Sequence, residues 1–123
     1  MIAYVTVGTN DIARAAVFYD ALAKELGVGR YLDLPDRIGW GTLQGGGIIV
    51  MKPYNGEAAS VGNGCMVSLA ARDKDQVDRL HKIAMAHGGA DEGAPGPRAG
   101  GGFYAAYFRD LDGNKLNAFV LGG

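Results

Sequence analysis

The sequence predicts an α+β domain built from two copies of one strand-helix-strands unit. Three observations carry that expectation. Apolar residues alternate with a period of two, change to a period of three to four, and return to two. This cycle occurs twice. The two cycles superpose without a gap: an offset of 62 residues lays Val67-Ser68-Leu69 on Val5-Thr6-Val7, Asp73 on Asp11, Leu80 on Phe18 and Gly89 on Gly27.

Ile2 to Thr9 reads as a strand, with Val5 and Val7 alternating against Tyr4, Thr6 and Gly8. From Asp11 onward Ile12, Ala15, Tyr19, Leu22 and Leu26 recur at helical spacing, capped by Asn10 or Asp11 and ended by Gly27. Three short strands follow near Tyr31 to Leu34, Ile38 to Leu43 and Gly47 to Lys52, divided by Pro35-Asp36 and Gly45-Gly46. The second unit opens with the strand around Val67 and a helix bearing Val77, Leu80 and Ala84 on one face. Asp73 and Gln76 have the spacing of a capping box at its start. Gly93 to Gly102 is rich in glycine and proline and reads as a loop, with Gly100 to Gly102 a candidate flap. Strands from Phe103 to Phe108 and Leu116 to Leu121 close the unit, joined by a turn at Asp110 to Asn114.

The chain of 123 residues fits one domain over 1–123, with module 1 at about 1–56, a connector at about 53–64 and module 2 at about 65–123. A hydrophobic content of 48% and a charged content of 20% are those of a globular protein, which excludes a disordered chain. The net charge of −1 and the scattered basic residues argue against nucleic acid as a partner. Apolar runs are far shorter than the roughly 20 residues a bilayer demands, so no membrane is expected. The single Cys65 makes no internal disulfide, and the expected location is the cytoplasm.

The strand Val5-Thr6-Val7 with Asn10-Asp11 and Ala16-Val17-Phe18-Tyr19-Asp20, the segments Val77 to His81 and Ala86-His87-Gly88-Gly89, and the closing Phe108-Arg109-Asp110-Leu111-Asp112-Gly113-Asn114 together resemble the vicinal oxygen chelate superfamily. That superfamily contains glyoxalase I, bleomycin resistance proteins and extradiol dioxygenases. The resemblance implies two βαβββ modules whose mixed sheet curls around an open cleft, with helices on the outer face, and frequent assembly as a homodimer. It also implies a divalent ion held by a first-strand His and a last-strand Glu from each module. The His positions fall on Tyr4 and Met66, and the second-module Glu falls on Asn117. Leu43 to Pro53 contains no His, Asp, Glu or Cys. Phenol, thioether and amide offer little to such an ion. No metal and no cofactor are therefore expected.

The bound group is instead expected to be a small organic molecule, and the facing pattern of the family implies that Tyr4, Thr6, Met66, Ser68 and Asn117 turn into the cleft while Val5, Val7, Val67, Leu69 and Leu116 turn to the helices. Trp40 and Tyr104, with Phe103 and Tyr107, are candidates for its apolar lining. Arg37, Arg98 or Arg109 would give a positive rim. His81 and His87, six residues apart on a helix, lack the spacing of paired ligands and read as packing or surface residues. Asp110, Asp112 and Asn114 resemble the start of a calcium loop, but the twelfth position is Leu121, so a turn is expected. Cys65 reads as a structural thiol. Catalytic residues are not assigned. The alternatives are a glyoxalase-type lyase or isomerase with an atypical site, acting for example through Tyr4, and a dimeric partner subunit with a filled cleft.

Overall fold

The computed structural model describes residues 1–42, 44–98 and 100–122. Its element order is β1 (Tyr4–Gly8), α1 (Ile12–Leu26), β2 (Arg30–Leu34), β3 (Arg37–Thr42), β4 (Gly46–Met51), β5 (Val67–Ala70), α2 (Lys74–Ala86), β6 (Ala90–Arg98), β7 (Phe103–Arg109) and β8 (Lys115–Leu121). This is βαβββ twice. The strands form two four-stranded mixed sheets of matching order, β1-β4-β3-β2 and β5-β8-β7-β6, with the first and last strand of each module paired in parallel. The sheets do not close into a barrel. Leu43, the last residue of the expected third strand, lies outside the described residues, as does Ala99 within the expected glycine-rich loop.

Local chemistry sets the helix ends. Asp11 accepts from the Arg14 backbone N–H, and Gly27 closes α1 in the left-handed region at φ 75°, donating to the Ala23 and Lys24 carbonyls. At the start of α2, Asp73 Oδ1 accepts from the Gln76 N–H at 2.8 Å, while Gln76 Oε1 returns to the Arg72 N–H at 2.9 Å. The same Gln76 side chain donates to the Glu25 carbonyl at the end of α1.

Helices cover one face of each sheet. Phe18, Tyr19 and Leu22 of α1 share a single core with Ile38, Trp40, Ile48 and Val50 of the first sheet, and with Val77, Leu80, Phe108 and Leu116 of the second module. Val5, Val7, Val67 and Leu69 pack against that core, as their alternation predicts.

One expectation is corrected. Residues 90–98 form a nine-residue strand, not a loop. It lies at the edge of its sheet, where a missing proline N–H costs little, and two register shifts around Gly93 absorb the irregular residues.

Candidate functional site

The faces turned away from the helices carry the candidate site. On the first sheet that face is formed by Tyr4, Thr6 and Gly8 of β1, Gly47, Ile49 and Met51 of β4, and Arg37 and Gly39 of β3, as the strand register requires. Tyr4 and Thr6 are exposed. Tyr31, not anticipated from sequence, completes the face. A bulge between Arg30 and Leu32 sets it over two glycines: a Cβ at Gly47 would lie 2.9 Å from its ring, and one at Gly39 would lie 3.1 Å from it. Its hydroxyl is buried without a hydrogen-bond partner, and burial, with Tyr4 nearby, raises its pKa above the ordinary value. The phenol therefore stays protonated and able to donate. Gly39 and Gly47, on the same face of adjacent strands, were the sequence signal for it.

Beside this face an open groove of about 490 Å³ runs between the ends of β1 and β4 and the connector, lined among others by Thr6, Gly8, Met51, Tyr54 and Ala58. Such a volume is typical of small-molecule sites.

On the second sheet, Tyr107, Asn117 and Ser68 form one row across β7, β8 and β5, and Ala105, Phe119 and Ala70 form the next. Asn117 is 2% exposed, and its Oδ1 has no partner. Ser68 and Met66 are exposed. Phe103 and Phe119 are in ring contact, with centroids 5.4 Å apart.

Two expected lining residues lie elsewhere. Trp40 is buried against α1, its Nε1 donating to Asp20 at 2.8 Å and its ring stacked on Tyr19. Tyr104 faces α2, where its hydroxyl donates to Asp78 at 2.7 Å, a bond that raises its pKa. The alternation Ile38-Gly39-Trp40-Gly41 already puts Trp40 on the face of Ile38. In β7 both faces are apolar, so sequence did not separate Tyr104 from Tyr107.

The expected positive rim is only partly free. Arg37 pairs with Asp36 and Arg109 with Glu92, whereas Arg98 makes no ion pair among the described residues. His81 lies against Asp91 and Phe108, and His87 Nδ1 lies 2.8 Å from the Ile83 carbonyl oxygen, both at α2. Cys65 is exposed. The Asp110 to Asn114 segment is a turn: Asp110 Oδ1 accepts from the Asp112 and Asn114 N–H groups, each at 2.9 Å.

At the positions where the resemblance implies a divalent ion, the chain has the Tyr4 phenol on β1, the Asn117 amide on β8 and, just before β5, the Met66 thioether, while the β4 face offers Gly47, Ile49 and Met51. Among the described residues no three His, Cys, Asp or Glu side chains gather as an ion site. This donor set does not fit the ion.

A family model described as the Glyoxalase/Bleomycin resistance protein/Dioxygenase superfamily matches residues 1–118. The chain belongs to that superfamily. Among solved structures it is similar to a glyoxalase/bleomycin resistance protein from Albidiferax ferrireducens T118, at 38% identity and TM-score 0.89 over 97% of each chain. It is similar also to the hypothetical protein SA1046 from S. aureus, at 27% identity and TM-score 0.72 over 98% of this chain and 96% of that one. A lactoylglutathione lyase from Agrobacterium tumefaciens, 21% identical with TM-score 0.69 over 97% of this chain and 92% of that one, shares the fold. No curated protein matches the chain. No helix among the described residues is long and apolar enough to cross a membrane.

Proposed function

We propose that the chain is a metal-independent, cytoplasmic member of the superfamily that binds a small organic molecule on the sheet faces away from its helices, acting as a homodimer. One observation carries this reading. The Asn117 Oδ1 and the Tyr31 hydroxyl are buried on those faces without partners. A buried polar atom left unpaired costs about 1–3 kcal/mol, so a fold retains it where something else supplies the bond. Tyr4, Thr6 and Ser68 add hydroxyl groups nearby, while Met66, Phe103 and Phe119 add apolar surface. Sequestration by these groups needs no acid, base or ion.

The test is a thermal-shift screen against aromatic acids, phenols, aromatic antibiotics and glutathione conjugates, in which at least one class raises the melting temperature by mass action. Uniform indifference to all classes sinks the binding reading, and favours a partner subunit if the faces prove packed shut between protomers. Elemental analysis of protein purified without chelator tests the metal-free reading: a transition metal near one per chain would overturn it and favour an atypical lyase or isomerase.

A further inference from the structure

We infer that the molecule bound is a small organic anion with an apolar body, held by its acid group at Arg98 and Lys115 over Tyr107. This inference rests on the ligand-binding reading above and specifies its chemistry.

Two cations share one aromatic ring on the open face of the second sheet. The Arg98 guanidinium carbon and the Lys115 Nζ each lie 5.6 Å from the Tyr107 ring centroid. Arg98 is held there by construction. It begins at the far end of β6, opposite Phe103, and folds back, donating from Nη2 to the Ala94 carbonyl at 2.6 Å and from Nη1 to the Pro97 carbonyl at 3.3 Å. Two glycines make its bed: a Cβ at Gly93 would lie 3.3 Å from Nη2, and one at Gly96 would lie 3.1 Å from Nη1.

Neither cation is neutralised. Every other arginine of the chain pairs with a carboxylate, while neither Arg98 nor Lys115 does among the described residues. Both are part-buried, where an unmatched charge attracts an anion more strongly than at an exposed site.

The surroundings define the rest of the ligand. Asn117 stands opposite Tyr107 in the adjacent strand, with its unpartnered Oδ1 calling for a donor and its amide able to donate in turn. One row further along the strands, about 7 Å away, Ala105 and Phe119 with Phe103 give an apolar floor. A charged head at Tyr107 and an apolar body over Phe119 match a small aromatic or branched organic acid.

The experiment titrates the full ¹⁵N-labelled chain with phenylacetate and with its neutral analogue phenylacetamide, following backbone amide shifts. Phenylacetate is expected to bind at least about tenfold tighter, as one charge-assisted hydrogen bond supplies. Its shifts should centre on residues 103–119, and its advantage should shrink with added salt. In the Arg98→Gln/Lys115→Gln double variant the advantage should disappear, phenylacetate binding no tighter than phenylacetamide. Asn117→Asp, which keeps shape and adds a negative charge, should weaken phenylacetate further. Amide dispersion reports whether each variant is folded. Equal affinity for both compounds, an advantage that survives the double variant, or shifts confined to the first sheet would overturn the anion assignment and leave ligand binding standing. Silence toward both compounds overturns the assignment for this face; only silence across the whole thermal-shift screen removes the wider reading.

Discussion

Tyr19 shows how one side chain joins the two modules. Its hydroxyl donates to Asp110 Oδ2 at 2.6 Å inside the core. Burial first, and the Asp110 carboxylate second, hold its pKa well above the ordinary value of 10.0. Because the folded pKa is raised, the stabilisation is complete below the unfolded value and is lost as pH rises past it. Stability measured by urea unfolding should therefore fall above about pH 10. Tyr19→Phe should remove most of that fall and cost about 1–3 kcal/mol at neutral pH, by leaving Asp110 short of a donor. An unchanged alkaline limb in the variant would contradict this. At the candidate site, Asn117→Glu should not create tight nickel or zinc binding, because Tyr4, Met66 and β4 would still supply no companion ligand; stoichiometric uptake by dialysis would show otherwise.

At the scale of elements, glycines carry much of the specification. Gly47 sits where an added Cβ would meet the Trp40 carbonyl oxygen at 2.8 Å and the Tyr31 ring at 2.9 Å. Gly47→Ala should therefore destabilise the β3–β4 ladder by about 1–3 kcal/mol in chemical denaturation, and displace Tyr31 from the open face. A neutral effect would mean that Tyr31 is not seated there. The periods of two and three to four placed both helices and most strands, since each reports which face of an element is buried. They missed β6, because proline and glycine read as loop unless the segment is an edge strand with bulges, and edge position is a property of the assembled sheet. They also left β7 ambiguous, since Phe103-Ala105-Tyr107 and Tyr104-Ala106-Phe108 are both apolar. Lys74 and Asp78 on α2 resolve it by engaging Tyr104.

Across the whole molecule, the Asp110 to Asn114 turn acts as a clasp between modules. Asn114 Nδ2 donates to the Gly8 carbonyl at 2.9 Å, and Asp112 Oδ1 accepts from the Asn10 N–H at 3.0 Å. Asn114→Ala should cost about 1–2 kcal/mol of global stability, read as a lower urea midpoint. Ile2, Tyr4, Val61, Met66 and Leu121 are exposed, and the homodimer proposed above would cover apolar side chains of this kind. Sedimentation should give a dimer, and Tyr4→Asp/Met66→Asp should give a monomer with unchanged circular dichroism. A native chain that stays monomeric at high concentration would remove the homodimer from the proposal.

The sequence by itself determined the duplicated strand-helix-strands plan, the N-caps of both helices, and the helix-facing valines and leucines. All of these follow from local period, local capping or an internal offset. Only the tertiary structure decided that Tyr104 belongs to the helix side, that Tyr31 lies over Gly39 and Gly47, and that Arg98 and Lys115 each lie over the Tyr107 ring. Those placements depend on bulges, on strand neighbours distant in sequence and on which charges already have partners. A chain read one window at a time contains none of that information.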